Sequence, residues 1–208
     1  MEITWLGHSS FRLRGKEGTV VCDPTPRKGG GKLTADVVTV SHQHLGHNQV
    51  GLVGGEPKVF SGPGEYEVKG IHIFGVPTFH DAEKGKLRGK NTAYVIDVDD
   101  VVIGHLGDLG HLLTSGQAET FRDVDVLLVP VGGVVTIDSP QAVEVISLIE
   151  PHYVIPMHYR LPDEESTLDT VDKFLREMGV SDVEPQSKLT VTKGNLPEGP
   201  QVVVLEAR

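Results

Sequence analysis

Cysteine is almost absent from this 208-residue chain, which contains only Cys22. An internal disulfide is therefore excluded, and so is a metal site built from several thiolates. Cys22 ends an apolar run, so we expect a small buried thiol rather than a reactive one. No run of eighteen apolar residues occurs, and the first residues are acidic and alternating. We therefore expect a soluble, cytoplasmic protein without a membrane partner.

Positive charge is also scarce. The chain has 19 Lys and Arg residues against 29 acidic residues, for a formal net charge of -10. This balance opposes binding to phosphate backbones, so nucleic acid is a poor default partner and a small-molecule substrate is favoured. One local concentration of basic residues stands in a polar, glycine-containing segment at 81–90: Lys84, Lys86, Arg88 and Lys90. A solvated loop is the simpler interpretation, and contact with an anionic substrate is the alternative.

The length and apolar content predict one domain, residues 1–208, and leave a homo-oligomer open. Short β-type runs separated by glycine and proline fill the first half, and a loop is predicted at 23–31. The second half interleaves buried strands with helices. These helices are predicted at 115–122 with Thr114 and Gln117 at capping-box spacing, from Ser139-Pro140 onward, and at 167–178.

The most informative stretch begins with the apolar run at 37–40 and continues into His42, His44 and His47. Three imidazoles within six residues, just past a predicted strand, follow no hydrophobic periodicity. Packing does not explain them, whereas a divalent transition metal does.

Four separate apolar runs lead into a residue that can bind a metal: His42, His80, Asp108 and His158. If these strands lie side by side, or in two facing sheets that open onto one edge, the four side chains converge on one cleft. Neutral imidazoles bind zinc, and a carboxylate can bridge two metals. The pattern therefore predicts a metal site at one edge of the fold.

Several motifs together resemble the metallo-β-lactamase superfamily. They are His-X-His-X-X-His at 42–47, the later His80, Gly107-Asp108 and Met157-His158, accompanied by Trp5-Leu6-Gly7-His8-Ser9 and Gly62-Pro63-Gly64-Glu65-Tyr66. The details look like its small stand-alone branch of Zn-dependent hydrolases, to which the ascorbate-6-phosphate lactonases are related. The resemblance implies an α+β fold, a four-layer αββα sandwich of two facing mixed β-sheets with outer helices.

The resemblance also implies a site for one or two zinc ions per chain, with Mn²⁺ or Fe²⁺ as alternatives. His42, His44 and His80 would hold the first metal, Asp108 would bridge, and His47 and His158 would hold the second. Asp108 and His158 are also the predicted catalytic residues. The implied reaction is attack by a metal-bound hydroxide on a small ester, a lactone or a phosphorylated metabolite.

Gly46 departs from the superfamily, which has an aspartate directly before the third histidine. That aspartate ligates the second metal and orients water, so we expect the second site to be weaker or empty. Three outcomes stay open. They are a hydrolase working with the first metal, a weakened metal- or ligand-binding protein on the same fold, and rescue of the site by Gln43, Asp81, His111 or a water molecule. A phosphodiesterase or nuclease is a further alternative.

Four residues are predicted to lie beside the ligands or against substrate: His8, Gln43, His111 and Tyr159. For His8 and His111, this reading competes evenly with an ordinary structural or surface position. His105 lies within an apolar run, and a hydrogen-bonded structural role is favoured there over metal binding.

Overall fold

Two β-sheets form the centre of the molecule in a computed structural model that describes residues 1–26 and 32–208. The strands are β1 (Glu2–Gly7), β2 (Ser10–Arg14), β3 (Thr19–Cys22), β4 (Leu33–Thr34), β5 (Val37–Thr39), β6 (Val53–Gly54), β7 (Lys58–Phe60), β8 (Gly64–Val68), β9 (Ile71–Phe79), β10 (Lys90–Val98), β11 (Val101–His105), β12 (Val126–Pro130), β13 (Tyr153–Met157), β14 (Leu189–Thr190) and β15 (Gln201–Val202). The α-helices are α1 (Ser115–Thr120), α2 (Ser139–Ile149) and α3 (Val171–Glu177). The predicted loop at 23–31 falls partly outside the described residues, because 27–31 are not among them.

The first sheet has the order β14-β1-β2-β3-β5-β7, and the second has the order β15-β13-β12-β11-β10-β9-β8. Both mix parallel and antiparallel pairs, as predicted. Alternate residues of each sheet enter one shared apolar core, for example Trp5 and Phe11 from the first and Tyr94 from the second. The Tyr94 hydroxyl also donates a hydrogen bond to the carbonyl of Val40, at 3.0 Å. The sheets therefore face each other.

The outer faces of the two sheets are covered differently. Helix α2 packs against β12 of the second sheet and against α3. The outward side chains of the first sheet, such as Val21 and Val38, pack instead in a separate cluster with Leu33 and Val53 from the short β4–β6 ribbon. Among the described residues, no helix has the length and apolar character needed to cross a bilayer.

The helices follow the predicted caps with two corrections. Thr114 and Gln117 form the predicted capping box at α1. At α2 the N-cap is Asp138 rather than Ser139, because the Asp138 carboxylate accepts a hydrogen bond from the Gln141 amide. Helix α3 begins at Val171 rather than near 167. The preceding residues are bonded elsewhere, since the Asp169 amide donates to the Gly132 carbonyl at 2.9 Å.

Strand direction places the predicted ligands at one edge. Strands β1 and β3 run the same way because each is antiparallel to β2, and β5 is parallel to β3. Strands β9 and β11 run the same way because each is antiparallel to β10, and β13 is parallel to β12 beside β11. The carboxyl end of each of these strands leads directly, or within a few residues, to a candidate site residue: His8, Asp23, His42, His80, Asp108 and His158.

Candidate metal centre

Asp108 is the central residue of the site. Its Oδ2 atom lies 3.2 Å from the Nε2 atom of His47 and 3.3 Å from those of His80 and His158. The Nε2 atom of His42 is 3.7 Å from the same oxygen. All five side chains are buried, although the residues come from both sheets. Four imidazole nitrogens therefore surround one carboxylate oxygen.

Asp108 is held in place by neighbours that leave Oδ2 facing the histidines. The Ser9 hydroxyl donates a hydrogen bond to Oδ1 at 3.1 Å, and the Asp108 amide donates to the Asn91 side-chain oxygen at 3.0 Å. The preceding Gly107 has a φ of 55°, and a Cβ there would lie 2.5 Å from the Cβ of Ser41. Glycine is favoured at this position because the backbone conformation strains other residues and a Cβ would approach Ser41 too closely.

His47 lies between two carboxylates. Its Nδ1 atom is 2.8 Å from Oδ2 of the fully buried Asp23, and its Nε2 atom faces Asp108. Burial alone would lower the pKa of His47, but Asp108 and Asp23 outweigh it and raise that pKa to about 10. Burial would likewise raise the pKa of Asp23, yet His47 and Ser41 hold it below its ordinary value. Asp23 thus orients His47 as carboxylates orient metal-binding histidines.

His42 has a ring nitrogen that can bind a metal ion. His42 Nδ1 is 2.9 Å from the Ser41 hydroxyl, whereas its Nε2 atom is buried without a hydrogen-bond partner in the described structure. Burial and the neighbouring His47 lower the pKa of His42 to about 3, so its ring is neutral and can donate a lone pair. An unpaired polar atom in the interior is unfavourable, and a metal ion at this position would satisfy it.

The donor atoms fall into two main groups around Asp108. His42, His44 and His80 bring one ligand atom each to within 4.8 Å of one another, and so do His8, His47, Asp108 and His158. The first group contains the exposed His44, whose ring centroid lies 4.5 Å from that of His42. These groups contain the six predicted ligands and add His8 to the second. A related grouping of Asp23, His42 and His47 reflects the contact between Asp23 and His47.

The family model of the beta-lactamase superfamily domain matches residues 2–158, which is most of the chain. The chain belongs to the metallo-β-lactamase superfamily. The UPF0173 metal-dependent hydrolase of Methanoculleus marisnigri is 30% identical over 187 residues, which cover 76% of this chain and 81% of the relative. That of Methanopyrus kandleri is 29% identical over 221 residues, covering 88% and 95% respectively.

A solved structure agrees over the whole length. A Thermotoga maritima protein assigned to the Zn-dependent hydrolases of the metallo-β-lactamase superfamily is 40% identical and covers 100% of this chain and 99% of its own, with a TM-score of 0.84. The predicted superfamily and sandwich fold are therefore confirmed, and the chain is a metal-dependent hydrolase of this superfamily. Its link to the ascorbate-6-phosphate lactonases stays a prediction.

The edge of the sandwich that carries the donor atoms opens into a cleft of about 420 Å³. His8, His44, His47, His80, Asp108 and His158 line its polar side, and Val134, Val135 and Leu168 line an apolar side together with Ser166 and Thr167. Arg88 is the member of the basic segment that reaches this cleft, where its Nη2 atom donates to the Val134 carbonyl at 3.4 Å. Among the described residues, the cleft therefore combines metal donors with the guanidinium of Arg88 and an apolar wall.

The segment that carries Arg88 is organised by Asp81. The Oδ1 atom of Asp81 accepts hydrogen bonds from the amides of Glu83 and Gly85, and Oδ2 accepts from those of Leu87 and Arg88. Both carboxylate oxygens are thus used within the loop. Asp81 is a member of none of the donor groups.

Three other predicted residues, Gln43, His111 and Tyr159, belong to none of the donor groups. Gln43 is exposed and accepts a hydrogen bond from Asn48 at 3.3 Å. Both nitrogens of His111 are used, by the Phe79 amide and the Leu112 carbonyl. The ring of Tyr159 is buried against Trp5, with centroids 5.1 Å apart. These contacts join none of the three side chains to a donor atom, and their contact with substrate stays a prediction.

Two contributing residues were missed from sequence. Asp23 follows the apolar strand β3, so the strand-end signal that identified His80 and Asp108 was also present there. Ser9 carried no such signal, because its contact with Asp108 joins residues 99 positions apart. His105 has the structural role that was favoured for it. Its Nε2 atom is 2.8 Å from the Ser9 carbonyl, which holds the β1–β2 turn against the site.

Cys22 is fully buried, as expected for a structural thiol. Burial raises its pKa to about 12. The thiol is therefore protonated and unreactive at neutral pH.

Proposed function

We propose that this hydrolase binds zinc at the Asp108 centre and cleaves a small ester, lactone or phosphorylated metabolite. The observation that carries the proposal is the convergence of four imidazole nitrogens on Asp108 Oδ2 within 3.2–3.7 Å. In the metal-free state, several imidazole nitrogens are buried close together. Their burial is unfavourable unless a cation is bound. Mn²⁺ and Fe²⁺ are alternatives to zinc.

A bound divalent ion supplies a water of lowered pKa and polarises a carbonyl or phosphoryl oxygen. The protein's own residues prepare for this chemistry. Asp23 holds a proton on Nδ1 of His47, so Nε2 is the atom that would lose its proton and bind the metal. Ser9 donates a hydrogen bond to Oδ1 of Asp108, which leaves Oδ2 facing both donor groups. Asp108 and His158 line the cleft, which supports their proposed contact with the reacting centre.

The cleft supports a small substrate carrying an anionic group. Its volume of about 420 Å³ is in the range of sites for single small molecules. Arg88 can offer guanidinium donors to a phosphate or carboxylate, while Val134, Val135 and Leu168 can cover an apolar part. The net charge of -10 disfavours a nucleic-acid backbone as substrate.

The test compares hydrolysis of para-nitrophenyl acetate, a γ-lactone, para-nitrophenyl phosphate and bis(para-nitrophenyl) phosphate by zinc-loaded protein. His42→Ala and His158→Ala each remove one donor, from different sheets. His72→Ala is the matched control, because His72 is exposed on β9 and lies at its opposite end from His80. We expect at least one substrate other than the phosphodiester to be cleaved, and kcat/KM to fall to background in both donor variants but not in the control.

Three results would contradict the proposal. Full activity of His42→Ala would exclude a role for the Asp108 centre in the reaction. Metal binding without turnover of any substrate in the panel would favour the alternative of a metal- or ligand-binding protein on this fold. Selective cleavage of bis(para-nitrophenyl) phosphate would favour the phosphodiesterase alternative.

A further inference from the structure

The imidazole of His8 occupies the space beside Gly46. A Cβ atom built on Gly46 would lie 3.1 Å from His8 Nε2 and 3.2 Å from its Cδ2 atom. Both distances are shorter than ordinary contacts, and a carboxylate would extend further than Cβ. Residue 46 can therefore carry an acidic side chain only if the His8 ring moves away. The histidine ring stands next to the place from which the superfamily's aspartate would project.

The backbone holds His8 in this position. Gly7 has a φ of 96° and His8 a φ of 53°, which turn the chain sharply between β1 and β2. The His8 carbonyl accepts hydrogen bonds from the Trp5 indole at 2.9 Å and from the His158 amide at 3.1 Å. The second of these hydrogen bonds holds the turn against His158, which supplies a donor atom at the end of β13. His8 is thus positioned by the fold rather than by a mobile surface loop.

The His8 ring also lies among the donors of the second group. Its centroid is 4.1 Å from that of His158 and 4.8 Å from that of His47. The ligand atoms of His8, His47, Asp108 and His158 all lie within 4.8 Å of one another. No hydrogen bond to another described residue occupies the His8 ring. Four donors from four separate chain segments are therefore available to one ion.

We propose that His8 is a ligand of the second metal and takes over the role of the aspartate that Gly46 replaces. This proposal rests on the metal-dependent function proposed above. Three histidines would then serve each metal, His42, His44 and His80 for the first and His8, His47 and His158 for the second, with Asp108 shared between them. Gly46 would be the residue that makes room for His8.

The exchange of a carboxylate for an imidazole has a consequence for metal choice. Imidazole ligands suit zinc, cobalt and nickel, whereas carboxylates suit manganese. The second site should therefore prefer Zn²⁺ or Co²⁺ over Mn²⁺. An aspartate-containing site should discriminate less against Mn²⁺.

The experiment titrates the metal-free full-length protein with Co²⁺, Zn²⁺ and Mn²⁺, following stoichiometry by calorimetry and Co²⁺ coordination by visible absorption. The variants are His8→Gly, the double variant His8→Gly/Gly46→Asp, and the exposed control His72→Ala. Glycine suits the φ of 53° at position 8 and leaves space for a carboxylate at position 46. Circular dichroism and thermal unfolding verify folding, and His8→Asn replaces His8→Gly if that variant does not fold.

We expect two Co²⁺ equivalents in the wild-type protein and in His72→Ala. His8→Gly should keep the first equivalent and weaken the second by more than the ~10–100-fold that loss of an outer-shell partner costs. The double variant should regain the second equivalent with a smaller preference for Co²⁺ over Mn²⁺. Such non-additivity would show that positions 8 and 46 act on the same ion.

Three other results would contradict the proposal, and each would overturn a different claim. Two equivalents of unchanged affinity in His8→Gly would overturn the role of His8 and leave the two-metal centre intact. A single equivalent, unaffected by His8→Gly, would overturn the second site while the first metal and the proposed hydrolysis stand. No metal binding by the wild-type protein would overturn this proposal and the proposed function together.

Discussion

The proton on His47 decides how tightly the metal-free protein takes up a metal at a given pH. With a pKa of about 10, His47 is protonated at neutral pH between Asp23 and Asp108. Metal binding at Nε2 must displace that proton, so affinity should increase as the pH rises toward 10. The same raised pKa stabilises the metal-free fold fully below the ordinary imidazole pKa of ~6.5, and this contribution is lost as the pH rises through about 10.

Replacing Asp23 by asparagine tests this linkage. Asp23→Asn removes one of the two carboxylates that raise the pKa of His47, so the increase in zinc affinity between pH 6.5 and 8.5 should become shallower. The affinity itself should fall by roughly 10–100-fold, because the outer-shell partner of a ligand is lost. Chelator competition at several pH values measures both effects. Asp36→Asn is the control, since Asp36 precedes β5 whereas His42 follows it. An unchanged slope in Asp23→Asn would show that Asp23 does not control the His47 proton.

The sequence alone predicts some residues of the site but not others. Histidines 42, 44 and 47 stand out because they follow no apolar periodicity, and Gly46 stands out against the superfamily pattern. The sequence suggests Gln43, Asp81 or His111 as the replacement, and it predicts His8 only beside the ligands or against substrate. The proximity of His8 to Gly46 arises from the turn between β1 and β2 meeting the loop after β5, and no local pattern encodes that meeting.

At the scale of elements, the rule that ligands follow strand ends succeeded because it depends only on strand direction and apolar patterning. It predicts His42, His80, Asp108 and His158 at one edge, and in the structure the three imidazoles lie within 3.7 Å of the Asp108 carboxylate. The beginning of α3 was misjudged for a related reason. The residues before Val171 have a helical apolar spacing, but their backbone groups are bonded to a distant loop at Gly132.

The loop between β9 and β10 yields a prediction of its own. Asp81→Asn removes the charge and leaves one acceptor oxygen for four loop amides, so the segment that positions Arg88 should loosen. Amide hydrogen exchange at residues 83, 85, 87 and 88 should accelerate. The KM for an anionic substrate should rise, whereas the KM for para-nitrophenyl acetate should change little.

The comparison with Arg88→Ala separates positioning from contact. If Asp81 acts through Arg88, the double variant should raise the KM for the anionic substrate no more than Arg88→Ala alone. Metal content must remain at the wild-type level, because Asp81 adjoins His80. Additive effects on KM would mean that the loop contacts substrate through another residue, and unchanged exchange would mean that the carboxylate does not hold the loop.

At the scale of the whole molecule, the donor groups join the edges of two sheets. His8, His42 and His47 come from turns and loops of the first sheet, and His80, Asp108 and His158 follow strands of the second. In the interior the sheets share one apolar core, but at this edge buried polar side chains meet instead. A metal bound there would close the open edge of the sandwich as well as support the reaction.

Metal binding should therefore raise the thermal stability of the entire fold. An ion that binds only the folded state at about 1,000 times its Kd contributes about 4 kcal/mol, which for a chain of this length corresponds to a rise in Tm of roughly 8–16 °C. Scanning calorimetry of chelator-treated and zinc-loaded protein measures the difference. The double variant His42→Ala/His158→Ala, which lacks one donor from each sheet, should lose most of the zinc-dependent shift while unfolding in a single transition. Equal Tm values for the metal-free and zinc-loaded wild type, with zinc shown to be bound, would mean that zinc binds the unfolded chain as tightly as the folded one, so that the centre does not stabilise the sandwich.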